Sequence, residues 1–103
     1  MDQFPREFKA SRLTHGNLFF PTRISISPER VLRTKPRLLG STEESIAIAK
    51  IASVKLANGL FFSDICIEST GGTDPIASHG HRKHDAQQIR ALIEQLQEQR
   101  NRS

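Results

Sequence analysis

His79, His81, His84 and Asp85 stand within seven residues of one another, and imidazole and carboxylate are common ligands of a zinc-type cation. Residues two apart on a strand share a face, with His84 one turn further on, so His79, His81 and His84 form the candidate metal set. Arg82 and Lys83 lie between these ligands and repel a cation. Strand register turns Ile76 and Ser78 inward, which leaves His79 and His81 toward solvent. Cys66 is the only cysteine. As a nucleophile it needs a thiolate, yet it shares a strand face with Asp64 and Glu68, whose negative field disfavours that form. Gly71-Gly72 falls between two strands with no helix amides aimed at it, so no phosphate-cradling loop is recognisable. No catalytic group and no cofactor is expected.

Two other groups of residues point to binding. Arg23, Arg30, Arg33, Lys35 and Arg37 sit on one predicted hairpin and form a candidate anion site for a phospholipid headgroup or a nucleic acid. The turn between its strands is short and holds Glu29 at its tip, which equally suits a solvated strand face. In Phe19-Phe20 and Phe61-Phe62, alternation sends one ring of each pair inward and leaves Phe19 and Phe62 outside, Phe62 beside Leu60 and Cys66. Phe19, Leu60 and Phe62 are therefore the candidate partner interface, covered either by Phe4 and Phe8 or by a second subunit.

These residues need a scaffold. Ala86, Ile89, Leu92, Ile93 and Leu96 recur at helical spacing and predict one amphipathic helix over Asp85–Arg100. Asp85 with Gln88 reads as its capping box. Upstream, Leu18, Phe20, Thr22, Ile24 and Ile26 alternate with polar residues after the break at Gly16-Asn17, predicting a strand with one buried face. Ser27-Pro28-Glu29-Arg30 predicts a tight hairpin into Val31–Lys35, and Gly40-Ser41 the next turn. A third strand covers Glu44–Ala49, a tight turn follows near Lys50, and Val54–Ala57 is a short strand. Asn58-Gly59 is the strongest two-residue hairpin signal, leading to a strand over Leu60–Glu68 with Phe61, Ser63, Ile65 and Ile67 inside. Pro75–His79 gives a last strand. Six or seven antiparallel strands and one closing helix result.

With 103 residues, 36% of them hydrophobic, the chain suits one core. The expected organisation is an N-terminal arm over 1–16, the domain over 17–97 and a frayed tail over 98–103. The net charge of +4 is uneven: residues 1–40 hold eight Lys/Arg against three acids, and residues 41–78 two against five. A single cysteine forms no internal disulfide, and no apolar run approaches the ~18–20 residues a bilayer span needs. A cytoplasmic protein is expected.

The segments Asn17-Leu18-Phe19-Phe20-Pro21 with Ile24 and Ile26, Pro28-Glu29-Arg30-Val31, Ile48-Ala49-Lys50-Ile51-Ala52-Ser53-Val54 and Ile65-Cys66-Ile67-Glu68-Ser69-Thr70-Gly71-Gly72 resemble the bacterial pleckstrin-homology-like domains of the membrane-flanked type. The resemblance covers roughly Leu13 to Leu96. It implies a bent seven-stranded antiparallel barrel capped by a C-terminal helix, mainly β in class, that serves as a binding or oligomerising module. The expected function is accordingly non-enzymatic: association with a protein or with a second copy of itself, or alternatively with an anionic ligand through the basic hairpin.

Overall fold

Period-two runs pair antiparallel in chain order within each of two sheets, and the short turns at Ser27–Arg30, Arg37–Gly40 and Gly59–Phe62 permit no other neighbour. The computed structural model describes residues 4–11 and 19–102. One sheet has the order β1 (Arg6–Lys9), β2 (Arg23–Ile26), β3 (Arg30–Pro36) and β4 (Ser41–Ala47). A single 3-10 turn, Ile48–Lys50, redirects the chain into the second sheet, ordered β5 (Ile51–Asn58), β6 (Phe62–Ser69) and β7 (Ile76–Arg82). The chain then enters helix α1 (Lys83–Arg102) directly.

Three of the connections have one design. Ser27 N–H donates to the Arg30 carbonyl at 3.0 Å, Arg37 N–H to the Gly40 carbonyl at 2.9 Å and Gly59 N–H to the Phe62 carbonyl at 2.8 Å. Each closes a four-residue turn and leaves two residues at the tip: Pro28 and Glu29, Leu38 and Leu39, Leu60 and Phe61. Gly40 has a φ of +94°, a left-handed conformation that glycine takes without steric penalty. The Asn58-Gly59 signal thus locates a hairpin correctly, but its tip falls two residues later, at Leu60 and Phe61, and β6 begins at Phe62.

The inner faces of the two sheets and one stripe of α1 share a single core, in which Ile24, Ile26, Ile65, Ile67, Ile89 and Ile93 are buried. Ala86, Leu92 and Leu96 complete the predicted helical stripe. The helix packs on β5, β6, β7 and the 3-10 turn. Near its far end the Gln97 amide donates to the Ile48 carbonyl at 3.2 Å and to the Ile51 carbonyl at 2.8 Å.

Several expectations need correction. Among the described residues the two sheets do not close into one barrel; backbone bonds between their edges are local, such as Ser11 N–H to the Gly80 carbonyl at 2.9 Å. The expected arm contains a strand of the first sheet, since Phe8 pairs with Ile24 and is buried. The helix starts at Lys83, two residues before its predicted cap. Asp85 lies in the first turn, where a carboxylate still meets the positive end of the helix dipole. The tail expected to fray is helical to Arg102, which pairs with Glu98 one turn earlier. The predicted break at Gly16-Asn17 and strand start at Leu18 lie outside the described residues.

Candidate docking surface

The three histidines do not converge. His79 is on the outer face of the second sheet, with Nδ1 3.4 Å from Asp64 Oδ2. His84 is exposed on α1 with Nδ1 3.9 Å from Asp85 Oδ1. His81 was expected to face solvent and is instead fully buried. The cause is Gly80, at φ +79°, where the β6–β7 register shifts between Ser63 and Ile65. That bulge inserts one residue and reverses the parity, so Ser78 and His81 both point inward. His81 Nε2 lies 2.5 Å from Ser78 Oγ, while Nδ1 is buried without a partner among the described residues. Burial lowers the His81 pKa to about 4, partly offset by Asp85 and Asp64. Among the described residues no group of three or more His, Cys, Asp or Glu side chains is arranged to hold a metal ion.

Cys66 is half-buried on the outer face of β6, opposite Lys55 on one side and Ala77 on the other. Lys55 is turned toward Glu68, at 3.1 Å. The Ser53 hydroxyl at 2.7 Å and the Lys55 ammonium hold the Glu68 carboxyl below its ordinary pKa. Nothing in that arrangement activates the thiol. A cleft of about 630 Å³ between β1 and the start of α1 is lined by Arg6, Lys9 and Arg82 but also by Glu7 and Asp85; its charges are interleaved rather than convergent.

The five basic residues predicted as one site are split by strand parity. Arg33 lies opposite Ile24 and so shares the inner face of the first sheet with Lys35, whereas Arg23 and Arg30 are on the outer face. Arg30 is at the turn end of β3, and Arg37 at the other end, roughly 20 Å away at the rise of a strand. Arg33, Lys35 and Arg37 do come together. Arg33 Nη1 is engaged at 2.8 Å by Glu44 Oε1, and Lys35 Nζ donates to the Phe20 carbonyl at 2.8 Å. Burial, then the fields of Arg33 and Arg37, lower the Lys35 pKa, which marks a spot where positive charge already crowds positive charge.

The bond from Lys35 to Phe20 also brings the segment before β2 to this end of the sheet, beside the turn between β3 and β4. The end is apolar. Leu38 is 82% exposed, Leu39 92% and Phe19 76%, with Phe20 also exposed. The candidate interface of Phe19, Leu60 and Phe62 is thereby divided. Phe19 belongs to this end, whereas Leu60 is exposed on the turn between β5 and β6 and Phe62 is half-buried on the outer face of β6. Phe61, expected inside, is 73% exposed because it sits on that turn rather than in the strand. Leu38 and Leu39 escaped the sequence reading, though a signal was there: two adjacent leucines before a turn glycine, on neither a strand nor a helix, have no face to turn inward.

Compared with known proteins, the chain matches no family model, no curated protein and no solved structure. Among the described residues no helix is long and apolar enough to cross a membrane.

Proposed function

We propose that this chain is a pleckstrin-homology-like binding module that acts by docking, without a reaction of its own, through the apolar end of its first sheet. The observation that carries this is the exposure of Leu38, Leu39, Phe19 and Phe20 at one end, backed by Lys35 and Arg37. Large apolar side chains exposed at one end of a sheet are the kind of feature that marks an interaction site. The order of four strands, three strands and a C-terminal helix supports the pleckstrin-homology-like part of the proposal. The single cysteine supports a reducing, cytoplasmic setting.

The anionic, environment-sensitive dye anilinonaphthalene sulfonate tests the surface. Its fluorescence is expected to rise with the native protein and to lose most of that rise in the double variant Leu38→Ser/Leu39→Ser. No enhancement in the parent protein, or full enhancement in the variant, overturns the proposal. Self-association is the second reading, favoured by the other apolar tip, Leu60 and Phe61. Light scattering is then expected to give an oligomeric mass that Phe61→Asp reduces to that of one chain. A single-chain mass for the parent at all concentrations removes it.

A further inference from the structure

We infer that the free edge of β1 is a second binding site, which takes an extended segment of a partner protein as an added strand. The segment places an acidic residue opposite Lys9, a basic residue opposite Glu7 and an apolar residue between them. This goes beyond the apolar end and does not depend on it.

Backbone direction is the first argument. The Ala10 N–H donates to the Thr22 carbonyl at 2.8 Å, and the same register places Phe8 opposite Ile24 and Arg6 opposite Ile26. Bonded and non-bonded pairs alternate along an antiparallel ladder, so Arg6, Phe8 and Ala10 are the residues that bond to β2. The next ladder agrees: the Ser27–Arg30 bond makes Ser25 and Arg23 the residues that bond to β3, leaving Ile24 and Ile26 for β1. The N–H and C=O groups of Glu7 and Lys9 therefore point away from β2, toward the edge. Ser11 has the same parity, and its N–H meets the Gly80 carbonyl at 2.9 Å.

Shape is the second. Main-chain groups along an open edge pair with an added strand, and this edge forms one wall of the cleft of about 630 Å³ whose far wall is Arg82, Asp85 and Gln88 at the start of α1. That size falls within the roughly 300–1,000 Å³ typical of ligand sites. The helix stands where the body of a second folded copy would have to lie if two β1 edges met, whereas a single extended chain fits between strand and helix. The Gln88 amide carries both donors and an acceptor, which suits the far edge of such a chain. Phe8 and Ala10 also line the cleft and give the middle residue of the segment an apolar neighbour.

Charge is the third. On the outer face Lys9 lies opposite Arg23, and Glu7 opposite Ser25. Like charges directly opposite on adjacent strands are destabilising, so an acid arriving on the other side of Lys9 offsets that repulsion. A base opposite Glu7 meets a carboxylate whose β2 neighbour is neutral. Antiparallel entry therefore reads acid, apolar, base.

Titration of the isotope-labelled protein with the peptide Thr-Glu-Val-Lys-Thr, followed by amide shifts and hydrogen exchange, tests this. The Glu7 and Lys9 amides are expected to shift and to exchange more slowly, while the Phe8 amide, already bonded to β2, changes little. The reversed peptide Thr-Lys-Val-Glu-Thr has the same composition but sets like charges opposite each other, and is expected to bind at least about fivefold more weakly. Lys9→Glu is expected to prefer Thr-Lys-Val-Lys-Thr. Glu7→Pro removes an edge-facing N–H without cutting a bond to β2, a placement that edge strands tolerate, and is expected to lose binding at an unchanged melting temperature. Leu38→Ser/Leu39→Ser is expected to bind like the parent.

No change at Glu7 and Lys9, equal binding of the reversed peptide, an unaltered preference in Lys9→Glu, or full binding by a folded Glu7→Pro overturns the inference. So does slow exchange of those two amides before any peptide is added: with a doubled mass a second copy holds the edge, and with a single-chain mass the chain covers it itself. If Glu7→Pro does not fold, the charge reversal at Lys9 decides.

Discussion

His81 has been taken out of water with only one of its two ring nitrogens partnered among the described residues. The neutral ring leaves one nitrogen unsatisfied; the protonated ring leaves a charge there as well, which is why burial lowers its pKa to about 4 from 6.5. The unfolded chain therefore binds this proton more readily than the folded one. Above pH 6.5 both states are neutral at His81 and its contribution to stability is complete. As pH falls from about 6.5 toward 4, the unfolded state alone gains the proton and stability declines, by up to roughly 3 kcal/mol from this group. Thermal unfolding at pH 7 and pH 4.5 is expected to show that loss, and His81→Gln to flatten most of it. An equal drop in the variant places the sensitivity elsewhere. Sequence parity could not foresee this residue. Counting by twos from Ile76 sends His81 outward, and only a bulge, which Gly80 permits but does not require, turns it in.

Elements were legible to the extent that their period could be counted. The helix stripe from Ala86 to Leu96 was readable because five apolar residues at 3.6 spacing admit one face, and each of them is buried. Leu92→Ala or Ile93→Ala is expected to cost about 2–5 kcal/mol, the range for removing buried aliphatic side chains, measured by chemical denaturation. A loss below about 1 kcal/mol in both would mean that α1 is not part of the core. Element ends were less legible. Helical geometry in the residues after Lys83 is supported by β7 running straight into it, which no local cap residue announces. Similarly, β1 is only four residues long, too short for alternation to distinguish from an arm, and what makes it a strand is its pairing with β2.

For the whole molecule, the mainly β class, the antiparallel chain order and the closing helix all followed from patterning, while the exposed apolar end did not. A surface is assembled from pieces that are distant in sequence, here Phe19 and Phe20 with Leu38 and Leu39, joined by the Lys35–Phe20 bond. It also depends on parity, which divides Arg33 and Lys35 from Arg23 and Arg30 within one basic hairpin. Net charge alone treats those five as equivalent. The fold separates them by face.

The passage from β7 into α1 without an intervening loop has a mechanical meaning. A helix joined by a flexible linker can swing, and what happens at one end of it is averaged away at the other. Here the strand's last residue is the helix's immediate predecessor, and Gln97 pins the far half to the corner at Ile48 and Ile51. Helix and sheet must therefore turn as one body. If the tip at Leu38 and Leu39 fixes the tilt of the domain on a surface, the axis of α1 is aimed by the same act, like the needle of a compass fastened to its case.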